Sequence, residues 1–325
     1  MKRIALAAAL MAAFAGSAMA QSSVSLYGRI NTSVEWQDND TIDKTVMRNN
    51  ASRWGLRGNE DLGGGLNAFF QLETGFGSDD GTGTGGFNRD AYVGLKSNAL
   101  GQIQVGKFNS ALYYATIDYI GMFNHNTGTT SEDNLYFLPV AQTNAVEYTS
   151  PKFGGFSFSL TATAGEGNIN ASKNYEGVVR WEAGNFYVAG GYVQSENGQT
   201  GAENNGWSVA ASYGFGPFVV GASMNQPDIQ GLGKAEHYAL TGMWTMGALE
   251  FHGSVGYLTE FDIPGSEETT QFTLGVNYNL SKRTKLYAFY FMADNGTTAV
   301  IGTGNVPGIP QQDFSSIGVG IRHNF

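Results

Sequence analysis

The chain has 325 residues, 18 of them basic and 28 acidic, for a formal net charge of −10. That balance argues against nucleic acid as a partner, since phosphate binding needs a basic surface. With no cysteine it builds neither disulfides nor thiolate metal sites, and 46 glycines beside 13% aromatics point to all-β structure rather than disorder.

Residues 1–20 stand apart. Met1-Lys2-Arg3 is a basic start, Ile4 to Phe14 an apolar run too short to span a bilayer as a helix, and Ala18-Met19-Ala20 a small-residue cleavage site. They predict a secretory signal peptide over 1–20, leaving 21–325 as one β-barrel domain. Removing Lys2 and Arg3 leaves 16 basic against 28 acidic residues, a net charge of −12.

From Ser23 onward apolar residues alternate with small or polar ones, as in Phe156-Ser157-Phe158-Ser159-Leu160-Thr161-Ala162-Thr163. Successive side chains of a strand point to opposite faces, so each such stretch has one apolar and one polar face. About sixteen strands are expected. The first eight lie near Val24–Trp36, Arg53–Glu60, Leu66–Thr74, Arg89–Leu95, Gln102–Lys107, Ala145–Thr149, Phe156–Thr163 and Tyr175–Glu182. The rest lie near Phe186–Tyr192, Trp207–Tyr213, Phe218–Met224, Tyr238–Met246, Leu249–Tyr257, Thr270–Tyr278, Leu286–Met292 and Ser316–Phe325. Short Gly-, Pro- and Asn-bearing turns such as Gly214-Phe215-Gly216-Pro217 alternate with long polar connections, including Gln37–Ala51, Gly75–Asn88, Asn225–Glu236 and the longest, Asn109–Gln142.

An even number of strands lets the last pair antiparallel with the first and removes the edges that hydrocarbon does not tolerate. Sixteen strands enclose water, whereas eight fill with side chains. The predicted fold is therefore an all-β transmembrane antiparallel barrel. Alternation alone also fits a soluble sandwich; the leader, the tryptophans at strand ends (Trp36, Trp54, Trp181, Trp207, Trp244) and the terminal Phe325 favour the membrane.

Several segments resemble the general porins of Gram-negative outer membranes, in particular the β-proteobacterial branch. They are Ser25-Leu26-Tyr27-Gly28, the stretch Ser52-Arg53-Trp54-Gly55-Leu56-Arg57-Gly58-Asn59-Glu60-Asp61-Leu62-Gly63-Gly64-Gly65-Leu66, Arg89-Asp90-Ala91-Tyr92-Val93-Gly94-Leu95, Val146 to Phe156, Leu280 to Tyr287, and Val319 to Phe325. The resemblance runs the length of the mature chain. It implies a homotrimer in outer-membrane lipid and lipopolysaccharide, passing ions and small hydrophilic solutes without a cofactor. It also implies a third long loop folded inward to narrow the channel, and Phe325 as the assembly signal.

Transport needs a constriction and a field. Parity places Arg29, Arg53, Arg57 and Arg322 on the lumen face, on strands that closure makes neighbours. Arg89 and Lys107 match family wall positions and complete the expected basic wall. Parity groups Arg89 with Ala91 and Val93, so it needs a bulge to face inward. The inserted loop offers Asp118, Glu132 and Asp133 opposite. The plainer alternative pairs the arginines with wall acids such as Glu60 and Glu73. Asp90 and Lys107 depart from the family pattern, and Ala141-Gln142-Thr143-Asn144 lacks its usual arginine. The thinner basic cluster and the −12 charge together favour weak selectivity, tilted towards cations.

Gly81-Thr82-Gly83-Thr84-Gly85-Gly86 matches a dinucleotide spacing but lacks the strand-and-helix context and reads as surface loop. His125, His237, His252 and His323 show no metal-ligand spacing, and Glu250 with His252 is a weak signal for an enzyme. A substrate-specific channel and a surface adhesin or receptor barrel are the competing functions; no enzyme is expected.

Overall fold

A computed structural model describes residues 23–39, 43–83, 85–123, 132–165, 173–196, 203–294 and 313–325. The predicted leader, residues 1–20, lies outside them. Alternation along β1 (Ser23–Asp38) has its expected consequence. Asn31, Ser33, Glu35 and Gln37 are buried on one face, while Val24, Leu26, Ile30 and Trp36 are exposed on the other.

The chain continues through β2 (Asp43–Asn49), β3 (Arg53–Gly63), β4 (Leu66–Gly75), β5 (Ala91–Ser97), β6 (Gly101–Asn109), β7 (Ala141–Thr149), β8 (Phe156–Thr163) and β9 (Lys173–Ala183). Then come β10 (Phe186–Glu196), β11 (Glu203–Phe215), β12 (Phe218–Ile229), β13 (Gly233–Lys234), β14 (His237–Met246) and β15 (Leu249–Leu258). The last are β16 (Thr269–Asn279), β17 (Thr284–Asp294) and β18 (Phe314–Asn324). Every neighbouring pair is antiparallel, and β18 pairs with β1 from Arg29↔Asn324 to Asp38↔Ser315, closing the barrel.

These segments make sixteen staves. β13 is a two-residue hairpin extension on β12 that leads into β14. β2 and β3 are one stave with a break: β2 pairs with the upper half of β1 and β3 with the lower half. Residues 43–49 had been expected in a loop, and the connection from Asn225 likewise starts late, because β12 runs on to Ile229. At the break Ala51 takes a φ of 53° and the ladder opens. Side chains close the gap. The Asn31 amide donates to Ser52 Oγ (2.9 Å), and Ser78, from the loop after β4, donates to Asn49 Oδ1 (3.1 Å).

Short turns, such as 64–65, 184–185, 216–217 and 247–248, lie at one end; the long connections lie at the other. Near the short-turn end the outer face carries a run of touching rings, Tyr213, Phe215, Phe218, Trp244 and Phe251, with neighbouring centroids 5.3–6.1 Å apart. Such a girdle fits a membrane–water interface. No helix among the described residues is long and apolar enough to cross a membrane.

The closing seam depends on a glycine. Phe325 exchanges backbone hydrogen bonds with Gly28 (3.0 and 3.1 Å), and a Cβ on Gly28 would sit 2.3 Å from the Phe325 ring. Gly28→Val is therefore expected to expel the ring, with an overpacking cost of about 1–3 kcal/mol before the seam bonds are counted. Unheated samples on SDS gels should show the folded, fast-migrating form depleted. A wild-type folded fraction would mean that the ring is not part of the seal.

Candidate functional site

The described residues of the long connection between β6 and β7, 110–123 and 132–140, lie inside the barrel. It carries helices α1 (Ala111–Ala115) and α2 (Ile117–Ile120) and a 3-10 turn at Glu132–Leu135. Ser110 caps α1 by accepting from the Tyr113 amide (3.1 Å) and donates its hydroxyl hydrogen to Glu176 of β9 (2.5 Å). Glu176 also accepts from the Leu112 amide (3.2 Å). Three wall hydroxyls then fix the next turns. Tyr187 donates to the Ala115 carbonyl, Ser208 to Thr116 Oγ1 and Thr241 to the Ile120 carbonyl, each at 2.8 Å.

Leu112, Ile117 and Ile120 are fully buried against Val178, Tyr187, Ala189, Val193, Ala210 and Ala239, which face inward from β9, β10, β11 and β14. Farther on, the Phe123 ring meets His252 edge-on (5.1 Å) and packs beside Phe289. A Cβ at Gly275 would come within 1.9 Å of that ring, so the seat exists because residue 275 is glycine. The described part of the loop thus packs on the inner wall from β9 to β17. Tyr114 and Tyr119 are its exposed aromatics.

Within the loop, the Tyr113 hydroxyl donates to Asp133. Burial, with the nearby charge of Asp133, pushes the Tyr113 pKa well above its ordinary value and keeps the hydroxyl a donor. Asp118 is half-buried in the first turn of α2. Glu132 falls in the 3-10 turn, but its side chain lies outside the described residues.

Across the bore runs a basic arc. Arg53 stands directly opposite Arg29 in the β1–β3 ladder, Arg322 opposite Asn31, and Lys285 opposite Arg322. Like charges placed this way repel, and Glu73 offsets part of the repulsion. This wall carboxylate is 5% exposed, accepts from the Tyr27 hydroxyl (3.0 Å), and pairs with both Arg53 (3.6 Å) and Arg89. Glu73 is thus one of the wall acids that the plainer alternative named; Glu60 forms no ion pair among the described residues.

Arg89 faces inward because of a bulge. Its amide donates to the Glu73 carbonyl while the Glu73 amide donates to the Asp90 carbonyl, so two residues oppose one. Asp90 is held by Gln71 (2.9 Å). Arg57 lies four residues from Arg53 along β3, roughly 13 Å lower at strand rise, with its guanidinium 4.9 Å from the Tyr27 ring centroid.

Lys107 does not join the arc. It shares parity with Ile103 and Val105, which are exposed on the outer face, while Gln104 and Phe108, of the other parity, face inward. Lys107 pairs with outward Ala91, and its ammonium donates to the Asn88 carbonyl (2.6 Å) at the strand end.

Two inward charges lie outside the expected set of site residues. Lys285 shares parity with Tyr287 and pairs with Glu250 (3.2 Å), which also accepts from Asn277 (3.0 Å). Arg180 donates to Ser159 (2.9 Å) and to the Ala111 carbonyl (3.1 Å), bracing the start of α1. Parity would have marked both as inward charges.

The family model of Gram-negative porins matches residues 5–298. The chain belongs to the Gram-negative porin family. Among curated relatives, this porin is 32% identical over 364 residues to outer membrane porin protein 32 of Delftia acidovorans and 29% identical over 401 residues to an outer membrane porin protein of Bordetella pertussis. Both alignments span 100% of each chain. The anion-selective porin from Comamonas acidovorans superposes with a TM-score of 0.75 at 25% identity, over 94% of this chain and all of that one. The protein is an outer-membrane porin, a channel for passive diffusion in a Gram-negative bacterium, with the expected barrel.

Proposed function

We propose that ions and small hydrophilic solutes pass through a slot between the basic arc and the inserted loop, with weak charge selectivity. The observation that carries this is the opposed placement of the two sets. Lys285, Arg322, Arg29, Arg53 and Arg89 line one side with Glu73, Asp90 and Glu250 among them, while Asp118 and Asp133 come from the loop. Five cations against five carboxylates leave little net charge but a strong transverse field. Such a field orders water and disfavours apolar solutes. The near balance supports weak selectivity better than a cation preference drawn from the total charge.

Arg53→Gln tests the arc. One unit charge about 6 Å from an ion in a water-like dielectric contributes roughly 0.7 kcal/mol, about threefold in the local ion ratio. The reversal potential in a salt gradient should therefore move towards cation preference. An unmoved potential would remove Arg53 from the ion path.

The homotrimer, the lipid and lipopolysaccharide contacts, the cleaved leader and the role of Phe325 as an assembly signal belong to the same proposal. A shallow apolar groove on the outer wall, lined by Val34, Met47, Val276, Leu286, Val319 and Ile321, supports association of copies; cross-linking in detergent tests it. A catalytic role is not proposed, because the Glu250–His252 pair is engaged by Asn277 and Lys285 in the wall.

A further inference from the structure

We propose that Arg29 and Arg322, backed by Lys285, form a docking station for a small oxyanion in the channel wall. The proposal rests on the channel reading above but concerns a different set of charges from the Glu73 cluster. Arg53 and Arg89 share Glu73, and Lys285 has Glu250. Among the described residues, neither Arg29 nor Arg322 has a carboxylate within ion-pair distance.

The topology brings them together. In the β1–β18 ladder Arg29 faces Asn324 and Arg322 faces Asn31, so the two arginines are diagonal neighbours on the inner face. Such diagonals separate Cβ atoms by about 7–8 Å, within reach for two long side chains. Lys285 stands directly across from Arg322 on β17. Each of Arg29 and Lys285 lies in the field of Arg322.

Their donors lack acceptors. Arg322 is 8% exposed, and its Nε and Nη1 bond to nothing, as does Nη1 of Arg29. Arg29 is steered by Nε, which donates to Asn324 Oδ1 (3.3 Å). These two guanidiniums, with three unmatched N–H-bearing nitrogens, lack hydrogen-bond acceptors there and a directly paired negative charge, since Glu73 and Glu250 are paired elsewhere and reach them only through the field. Water supplies only the first. An oxyanion supplies both, since carboxylate, phosphate and sulfate oxygens match the planar fork of arginine in pairs. An anion entering between the forks separates the two like charges as it binds. The station sits next to the Arg53–Arg89 cluster along the same side of the slot, where a passing anion can pause.

The test uses the full mature channel in a planar bilayer, with chloride current recorded at fixed ionic strength as sulfate is added. Saturable reduction of the wild-type current is expected. Arg322→Gln and Arg29→Gln should each raise the half-effect sulfate concentration by about tenfold, the worth of one hydrogen bond to a charged group. Arg322→Lys keeps the charge but loses the fork and should fall between. Arg53→Gln should move the reversal potential and raise the sulfate half-effect by only about threefold, a field effect, because that arginine faces Arg29 across the ladder but is paired with Glu73. A conducting wild-type channel without saturable block would overturn the station and leave the porin reading intact. So would unchanged block in Arg29→Gln, the variant that decides if Arg322→Gln fails to assemble. Absence of any conductance would instead refute the channel itself, and the station with it.

Discussion

A Glu73→Gln channel is expected to prefer anions more than the native channel and to unfold more readily. Glu73 is the single carboxylate against which Arg53, Arg89 and the Tyr27 hydroxyl all close. The amide keeps the volume and removes the charge, so both guanidiniums lose their counter-charge together. Removing one partner of a fully buried pair costs about 3–5 kcal/mol. Arg53 and Arg89 keep 17% and 30% of their side-chain surface, so lumen water offsets part of that and about 1–3 kcal/mol is the reasonable scale. The selectivity change has the sign opposite to that of Arg53→Gln and a similar size, about threefold by the same Coulomb estimate. Reversal potentials and the temperature at which the gel-shifted form disappears measure the two effects separately. Lower stability without a shift in potential would make Glu73 a structural brace remote from the ion path. A shift towards cations would contradict the placement of the arc.

Much of this architecture was legible because a strand has a period of two. That period assigned Arg29, Arg53, Arg57 and Arg322 to the lumen and Trp54 and Leu56 to the outside, and the structure places them there. It failed where the period is broken. Nothing in the side-chain types around Asn50-Ala51-Ser52 announces that one stave will open and resume, so β2 was hidden in a polar stretch. The Arg89–Asp90 bulge turns an apparently outward arginine inward, and it depends on backbone hydrogen bonds, which alternation does not encode. Lys107 is the opposite case: it has the parity of the exposed Ile103 and Val105, so alternation itself keeps it off the arc. Glu73 was visible as a wall acid, but its role as a shared partner follows from the approach of three strands. The seat of the loop is a different case. Leu112, Ile117 and Ile120 are apolar residues in a polar connection, a signal that was present and that the charges of Asp118 and Asp133 overshadowed.

That apolar seat sets the width of the channel, and Ile117→Asp is expected to release it. Ile117 is fully buried among inward side chains of the wall. Burial of the three aliphatic side chains Leu112, Ile117 and Ile120 contributes about 1.5–3 kcal/mol each at most, against an ordering cost of about 1–2 kcal/mol for each backbone residue held in place. The margin for docking is therefore narrow. An unpaired carboxylate in the same cluster costs several kcal/mol even after relaxation, more than that margin. Glu176 accepts two hydrogen bonds from the loop, about 1.5–3 kcal/mol each, and the hydroxyls of Tyr187, Ser208 and Thr241 hold it by one each at about 0.5–1.5 kcal/mol net, too little against the ordering cost and the buried carboxylate to keep it seated. The barrel should persist, since the interstrand ladders do not involve residue 117. Single channels should then show a larger main conductance with frequent brief closures, and liposome-swelling assays should admit larger neutral sugars than the native channel does. Ile117→Val, which keeps the apolar contact, should behave as wild type. Native conductance and size cut-off in the Asp variant would mean that the wall hydrogen bonds alone hold the loop, and the apolar cluster would lose its place in setting the bore.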